Sequence, residues 1–237
     1  MISVALASSV VCAQYDYNLD NQTNTINTVQ NWPGDYIVGS NTFGNALIIN
    51  SSGVLSNNSD YLGYEAGGSN NIAIVNAGIW TNRGYLVVGV NGANNQLIVT
   101  NGGRVFCSNI QGSPGCLGLF SSSSNNLVLV TGAGSVWNDL GELHVGEEGL
   151  GNRLEVTDGG RVLNTLGYLG YKSSSSNNTV MVTGIGSVWS NSSSLYVGYR
   201  GAGNQLTIAD GARSLSKYLC WVVSEVGEAG DAGKRNA

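Results

Sequence analysis

Glu142, His144, Glu147 and Glu148 form the densest ionisable cluster in the sequence. An imidazole flanked by carboxylates at this spacing can ligate a metal or act as a general base. His144 lies between Leu143 and Val145, which the strand pattern below turns inward, so the histidine faces out beside Glu142 and the Glu147-Glu148 turn. Its equivalents in other parts of the chain are Ile37, Val87 and Tyr196, which share no chemistry. The expected state of the cluster is therefore a solvated face. The chain has 1 histidine, and no nucleophile motif accompanies it, so a Ser-His-Asp arrangement has no recognisable nucleophile. No catalytic residue, metal site or cofactor is assigned.

Arg104, Arg161 and Arg213 recur on alternate repeats, as basic residues do on a polysaccharide-processing face. Arg161 and Arg213 each follow an aspartate, Asp158 and Asp210, at a distance of three residues. Local pairing across the turn explains them more simply, at about 0–1 kcal/mol for each exposed pair. No carboxylate pair flanks an identifiable cleft, as glycoside hydrolysis would require. Cys107 and Cys116 bracket an insertion, Ser108 to Gly115, in the longest repeat. A disulfide across its base suits an exported protein, and two free thiols are the alternative.

The elements that carry these residues follow from an internal repeat. Glycines ending Tyr-Ile-Val-Gly, Tyr-Leu-Gly or Leu-Xaa-Val-Gly segments fall at 39, 63, 89, 118, 146, 170 and 198, with a weaker copy at 227. Asparagines follow at 45, 71, 95, 126, 152, 178 and 204, most of them 26 residues apart. After each asparagine, apolar residues occupy the second and fourth positions: Leu47/Ile49, Ala73/Val75, Leu97/Val99, Val128/Val130, Leu154/Val156, Val180/Val182 and Leu206/Ile208. Period-two alternation over so short a span is a half-buried strand. Turns such as Asn101-Gly102, Asp158-Gly159 and Asp210-Gly211 follow, then a third strand with one more inward aliphatic: Val54, Ile79, Val105, Val136, Val162 or Val188. The predicted fold is all-β, a parallel β-helix (β-solenoid) of about seven coils of roughly 26 residues, each with three short strands. Coils stacked at about 4.8 Å make a rod of roughly 34 Å.

One residue beyond each inward aliphatic of the third strand lies a second apolar series: Leu55, Trp80, Phe106, Trp137, Leu163, Trp189 and Leu215. On this register the series points outward. Trp80, Phe106, Trp137 and Trp189 are thus the candidate binding residues, for carbohydrate stacking or for partner docking. The alternative is that each tryptophan covers the leucine of an adjacent coil and shields a corner. Glycine-39-type and glycine-63-type repeats alternate, giving a two-coil unit of about 52 residues.

Charged residues are only 11% of the chain, with a net charge of −5, which argues against a phosphate-binding surface. No apolar run is long enough to span a bilayer as a helix, so neither nucleic acid nor a membrane-spanning segment is expected. Residues 1–13 read as a signal peptide, with Val11-Cys12-Ala13 as the cleavage pattern, although a basic leader is missing.

Val182-Thr-Gly-Ile-Gly-Ser-Val-Trp189 and Val130-Thr-Gly-Ala-Gly-Ser-Val-Trp137, each followed by Leu-Xaa-Val-Gly and a Gly-Asn-Xaa-Leu segment, resemble the type-V-secretion and PEP-CTERM-associated repeat. The resemblance covers roughly residues 36–213. It implies an exported bacterial protein of autotransporter-passenger type with a β-helical stalk, and implies no catalytic residues.

The expected organisation is a cap or incomplete coil over 14–35, the solenoid over 36–213, and a degraded last coil over 214–237. Ser214 stands where an inward aliphatic is due, which fits a truncated or frame-shifted product with coil ends open to self-association. The expected function is a secreted or cell-surface stalk or scaffold. An adhesin for cell-surface glycans or proteins is the first alternative, and a β-helix polysaccharide enzyme the second.

Overall fold

The computed structural model describes residues 15–108 and 114–221. The expected signal segment, most of the Cys107–Cys116 insertion and the residues after 221 lie outside the described residues. What is described is all-β: an 8-stranded parallel sheet and a 15-stranded parallel sheet wind together as a β-solenoid of about seven turns. Each coil crosses three walls. The first holds the strands that lead into the glycine column, such as Asp60–Leu62, Leu86–Val88 and Glu142–Val145. The second holds the strands after the asparagine column, such as Ile72–Asn76, Gln96–Thr100 and Leu127–Thr131. The third holds Val54–Asn57, Ile79–Asn82, Arg104–Cys107, Val136–Asp139 and Arg161–Asn164. The single strand Val188–Val197 bends from the third wall into the first, which merges those two walls into the larger sheet. Residues 15–31 already run in register below the first glycine, and Arg213–Trp221 pairs along Val188–Val197 at the other end.

The asparagine column is a continuous ladder. The backbone N–H of Asn45 donates to Asn71 Oδ1 at 2.9 Å, and the same bond recurs from Asn71 to Asn95, Asn95 to Asn126, Asn126 to Asn152, Asn152 to Asn178 and Asn178 to Asn204. Each side-chain Nδ2 donates to the same oxygen, at 2.9–3.2 Å. All but Asn204 are fully buried. A buried amide so placed satisfies backbone at a corner that no sheet ladder reaches.

The glycine column serves the same ladder. Gly118 has φ +73°, and a Cβ there would lie 2.1 Å from Asn152 Nδ2. Gly146 stands in the same relation to Asn178. Glycine is thus required for its left-handed backbone and again for the space.

The third wall corrects the expected outward column. Trp80, Trp137 and Trp189 are fully buried and point into the solenoid, in register with Leu55, Val105 and Val162. Phe106 belongs to the opposite side of the wall, beside Thr81 and Asn138, and is half-exposed. The reason is turn length. The bend before the strand differs between coils, placing Trp80 five residues after Val75 but Trp137 seven after Val130 and Val105 six after Val99. A constant offset therefore slips by one in alternate coils, and a one-residue slip on a strand exchanges its faces. Val54, Ile79, Val136 and Val188 are the half-exposed residues, and Val105 and Val162 face inward as expected.

Volume is exchanged between walls to hold these tryptophans. On the first wall, Asp60, Gly115 and Gly167 occupy the inward position of the tryptophan coils, whereas Leu86, Leu143 and Leu195 occupy it in the coils carrying valine or Ser214. A large residue on one wall thus meets a small or polar one on the other, which keeps the interior near uniform density.

Replacing Asn152 by Ala removes the acceptor of two bonds from Asn126 and the side-chain donor to Asn178, while the backbone N–H bond to Asn178 stays. The loss should be about 1–3 kcal/mol, read as a lower denaturation midpoint with the solenoid circular-dichroism spectrum retained.

Candidate binding surface

The ionisable cluster is not a solvated patch. His144 sits on the outer side of the first wall between inward Leu143 and Val145, yet only 3% of it is exposed. Its Nε2 lies 3.2 Å from Glu142 Oε2, and its Nδ1 contacts Glu147 Oε2. Tyr171 stacks on the ring at 4.5 Å with an interplanar angle of 24°, and Tyr168 meets it edge-on at 4.9 Å. Both imidazole nitrogens are engaged by carboxylates and one ring face is covered. Lys172 lies 3.8 Å from Glu147 and over the Tyr171 ring.

This histidine is the foot of an aromatic cluster two coils deep. Tyr168 stacks on Tyr196 at 5.1 Å and 9°, and Tyr171 stacks on Tyr199 at 5.4 Å and 19°. The two columns meet edge to face, at 4.9 Å between Tyr168 and Tyr171 and 5.3 Å between Tyr196 and Tyr199. Arg200 lies over Tyr199 at 5.5 Å. Each offset or T-shaped ring pair contributes on the order of 1 kcal/mol beyond area burial. All four tyrosines keep part of their surface open, so the cluster is both a brace across coils and an amphipathic face. A smaller copy stands lower on the same wall, where Tyr61 meets Tyr64 and Tyr85 edge-on and donates its hydroxyl to Tyr85 at 3.1 Å.

The signal for this surface is Tyr-Xaa-Gly-Tyr, at 61–64, 168–171 and 196–199. Its first tyrosine and its glycine belong to the repeat motif, and the second tyrosine, just past the bend, brings the two columns together.

The other expected sites resolve differently. Cys107 is a free thiol in the interior cluster, whereas Cys116 is a free thiol on the outer side of the first wall against Val87 and Val90. They occupy opposite faces of the shell, so the expected staple is not formed. Burial pushes both thiols well up in pKa, which makes them poor nucleophiles. Asp158 and Asp210 accept hydroxyl bonds from Thr131 at 3.2 Å and Thr183 at 2.7 Å, on the preceding coil, rather than pairing with Arg161 and Arg213. Trp80 and Trp189 donate their indole N–H to Asn57 and Asn164 at 3.0 and 2.9 Å. Cys107 stands in that place below Trp137, so the indole N–H faces a sulfur, a weak acceptor, where its two counterparts have an amide oxygen.

Two buried carboxyls went unnoticed in the sequence. Asp60 is enclosed by Asn57 and Asn82, and desolvation outweighs their bonds to push its pKa up to about 8. Asp139, one step along the wall from Cys107, is pushed by burial up to about 7, against a bond from the Gly141 N–H at 2.9 Å. An unfolded chain releases these protons near pH 4. The folded state therefore binds more protons than the unfolded between pH ~4 and ~8, and stability falls as pH rises through that window.

Asp60→Asn, an uncharged mimic of the protonated acid, should match the wild type near pH ~3 and gain on it progressively between pH ~4 and ~8, exceeding it by at least about 1–3 kcal/mol at pH ~9, as measured by denaturant titration. Comparison of the chain with protein-family models, curated proteins and solved structures returned no significant match.

Proposed function

We propose that the chain is a rigid stalk or scaffold segment of an exported bacterial surface protein. The asparagine ladder carries this reading: seven side chains with chemically versatile amides are spent on locking one coil to the next. Polar groups elsewhere are used the same way. The sole histidine is held between two glutamates and two tyrosines, and the turn aspartates bind threonines of the preceding coil. A shell built by repetition extends in one dimension without a closed core, which suits a spacer. Low charge density and a surface of Asn, Ser, Thr and Gly fit an extracellular setting, as does the repeat resemblance around Trp137 and Trp189.

An antibody raised to residues 36–213 should label intact cells of the source organism, and external protease should remove the signal. Labelling that appears only after lysis would overturn the export reading.

A second reading, an adhesive face for glycans, is favoured by the half-open tyrosines with Lys172 and Arg200 beside them. Glycan-array binding by the chain should weaken about fivefold or more in Tyr171→Ala/Tyr199→Ala, each lost aromatic contact being worth about 1 kcal/mol. No binding, or binding unchanged in a folded variant, ends this reading.

A further inference from the structure

The arginines that recur on alternate coils stand without the partners that pairing across the turn would give them. Arg104, Arg161 and Arg213 occupy the first outward position of their third-wall strands, and all three are exposed. Parallel register places them in one line, with Val136 between the first two and Val188 between the last two. One cation therefore recurs every two coils, about 10 Å at a coil spacing of about 4.8 Å. Among the described residues, no carboxylate lies within ion-pair distance of any of the three. Asp158 and Asp210, in the turns before Arg161 and Arg213, accept from threonine hydroxyls instead. No outward position of the described third-wall strands is acidic.

The second outward position follows the same alternation. It reads Phe106, Leu163 and Leu215 on the arginine coils, and Asn138 and Ser190 on the coils between. Each arginine coil thus offers a cation beside an apolar rest, and each intervening coil an aliphatic beside a hydrogen-bonding group. At the foot of the same wall, Asn31, Ser56 and Thr81 continue this column into an open cleft of about 510 Å³, which Trp32 and Arg83 also line.

From this wall we infer that the chain binds a linear acidic glycan in which every second sugar carries a carboxylate, laid along the solenoid axis. The period decides the ligand class. A pyranose ring advances a glycan by about one coil spacing, so charge on alternate sugars meets charge on alternate coils. Nucleic acid does not fit, since its phosphates recur about every 3.4 Å along a strand. Nor does an extended acidic peptide, whose side chains on one face recur about every 6.6 Å. A glycan charged on every sugar would press half of its carboxylates onto Val136 and Val188, where no cation offsets their desolvation. Guanidinium forks match carboxylates bidentately, while Phe106, Leu163 and Leu215 suit the apolar faces of the rings.

Hyaluronan and heparosan, both with one carboxylate per disaccharide, are the probes. Polygalacturonate (one per sugar), dextran (none), single-stranded DNA and polyglutamate are the comparisons. Biolayer interferometry should show binding to at least one probe, weaker binding to every comparison polymer, and affinity that falls as salt rises. Arg161→Gln should weaken binding about threefold, and Arg104→Gln/Arg161→Gln/Arg213→Gln about twentyfold or more, the scale of exposed ion contacts. Thermal midpoints should not move, because the coils between carry valine at the same position. Val136→Arg, which closes a gap in the line, should shift preference toward polygalacturonate. Tyr171→Ala/Tyr199→Ala should leave this binding unchanged, which separates it from the adhesive reading of the tyrosine face. Binding to neither probe, equal or tighter binding to a comparison polymer, affinity kept in the triple variant, or affinity lost in the tyrosine variant would overturn the inference.

Discussion

Every coil in this protein is held by one bond pattern: a backbone N–H and a side-chain N–H of one asparagine converging on the side-chain oxygen of the next. The constraint it imposes is severe. The oxygen must reach down one coil spacing, the backbone before it must turn left-handed, and nothing larger than hydrogen can stand where the glycine of the coil below packs against the amide. Asn125, Asn177 and Gly151 supply the left-handed turn immediately before the ladder residue, and Gly118 and Gly146 supply the room. Sheet hydrogen bonds align the walls, but the ladder fixes the corner from which strand register is measured.

With the corner fixed, the interior is a problem of volume. Three tryptophans are more than a narrow triangular shell holds if every coil is alike. The chain answers with Gly115 and Gly167 opposite the upper two, the latter placed where a Cβ would come within 3.1 Å of the Trp189 ring. Asp60 opposite Trp80 is the exception, a carboxyl in a column whose other members are Tyr36, glycines and leucines, and its cost appears as a proton that must be retained. Asn57 and Asn164 then accept the indole N–H of Trp80 and Trp189, so these two large residues are also polar-satisfied.

This division explains what could be read from the chain in advance. The glycine and asparagine columns were legible because each residue has one role and a nearly constant spacing, and the inward pairs such as Leu97/Val99 follow the ladder at a fixed distance. The facing of the tryptophans was not legible, because the turns before them vary by a residue or two and a strand converts that small difference into a reversal. His144 was placed on the correct side of its strand, but its cover comes from Tyr168 and Tyr171 in the next coil, a neighbour 24–27 positions away that only the stacking brings near. Asp60 and Asp139 carried no mark distinguishing them from turn aspartates such as Asp158.

The alternation of large and small also sets how such a chain can change length. Losing the single coil between Trp80 and Trp137 would seat indole on indole and leave Asp60 beneath Gly115, overfilling one wall and hollowing the other. Losing two adjacent coils restores the original sequence of partners. Growth and shrinkage of the gene are thereby steered toward even steps, so that the heritable unit of this rod is the pair of coils.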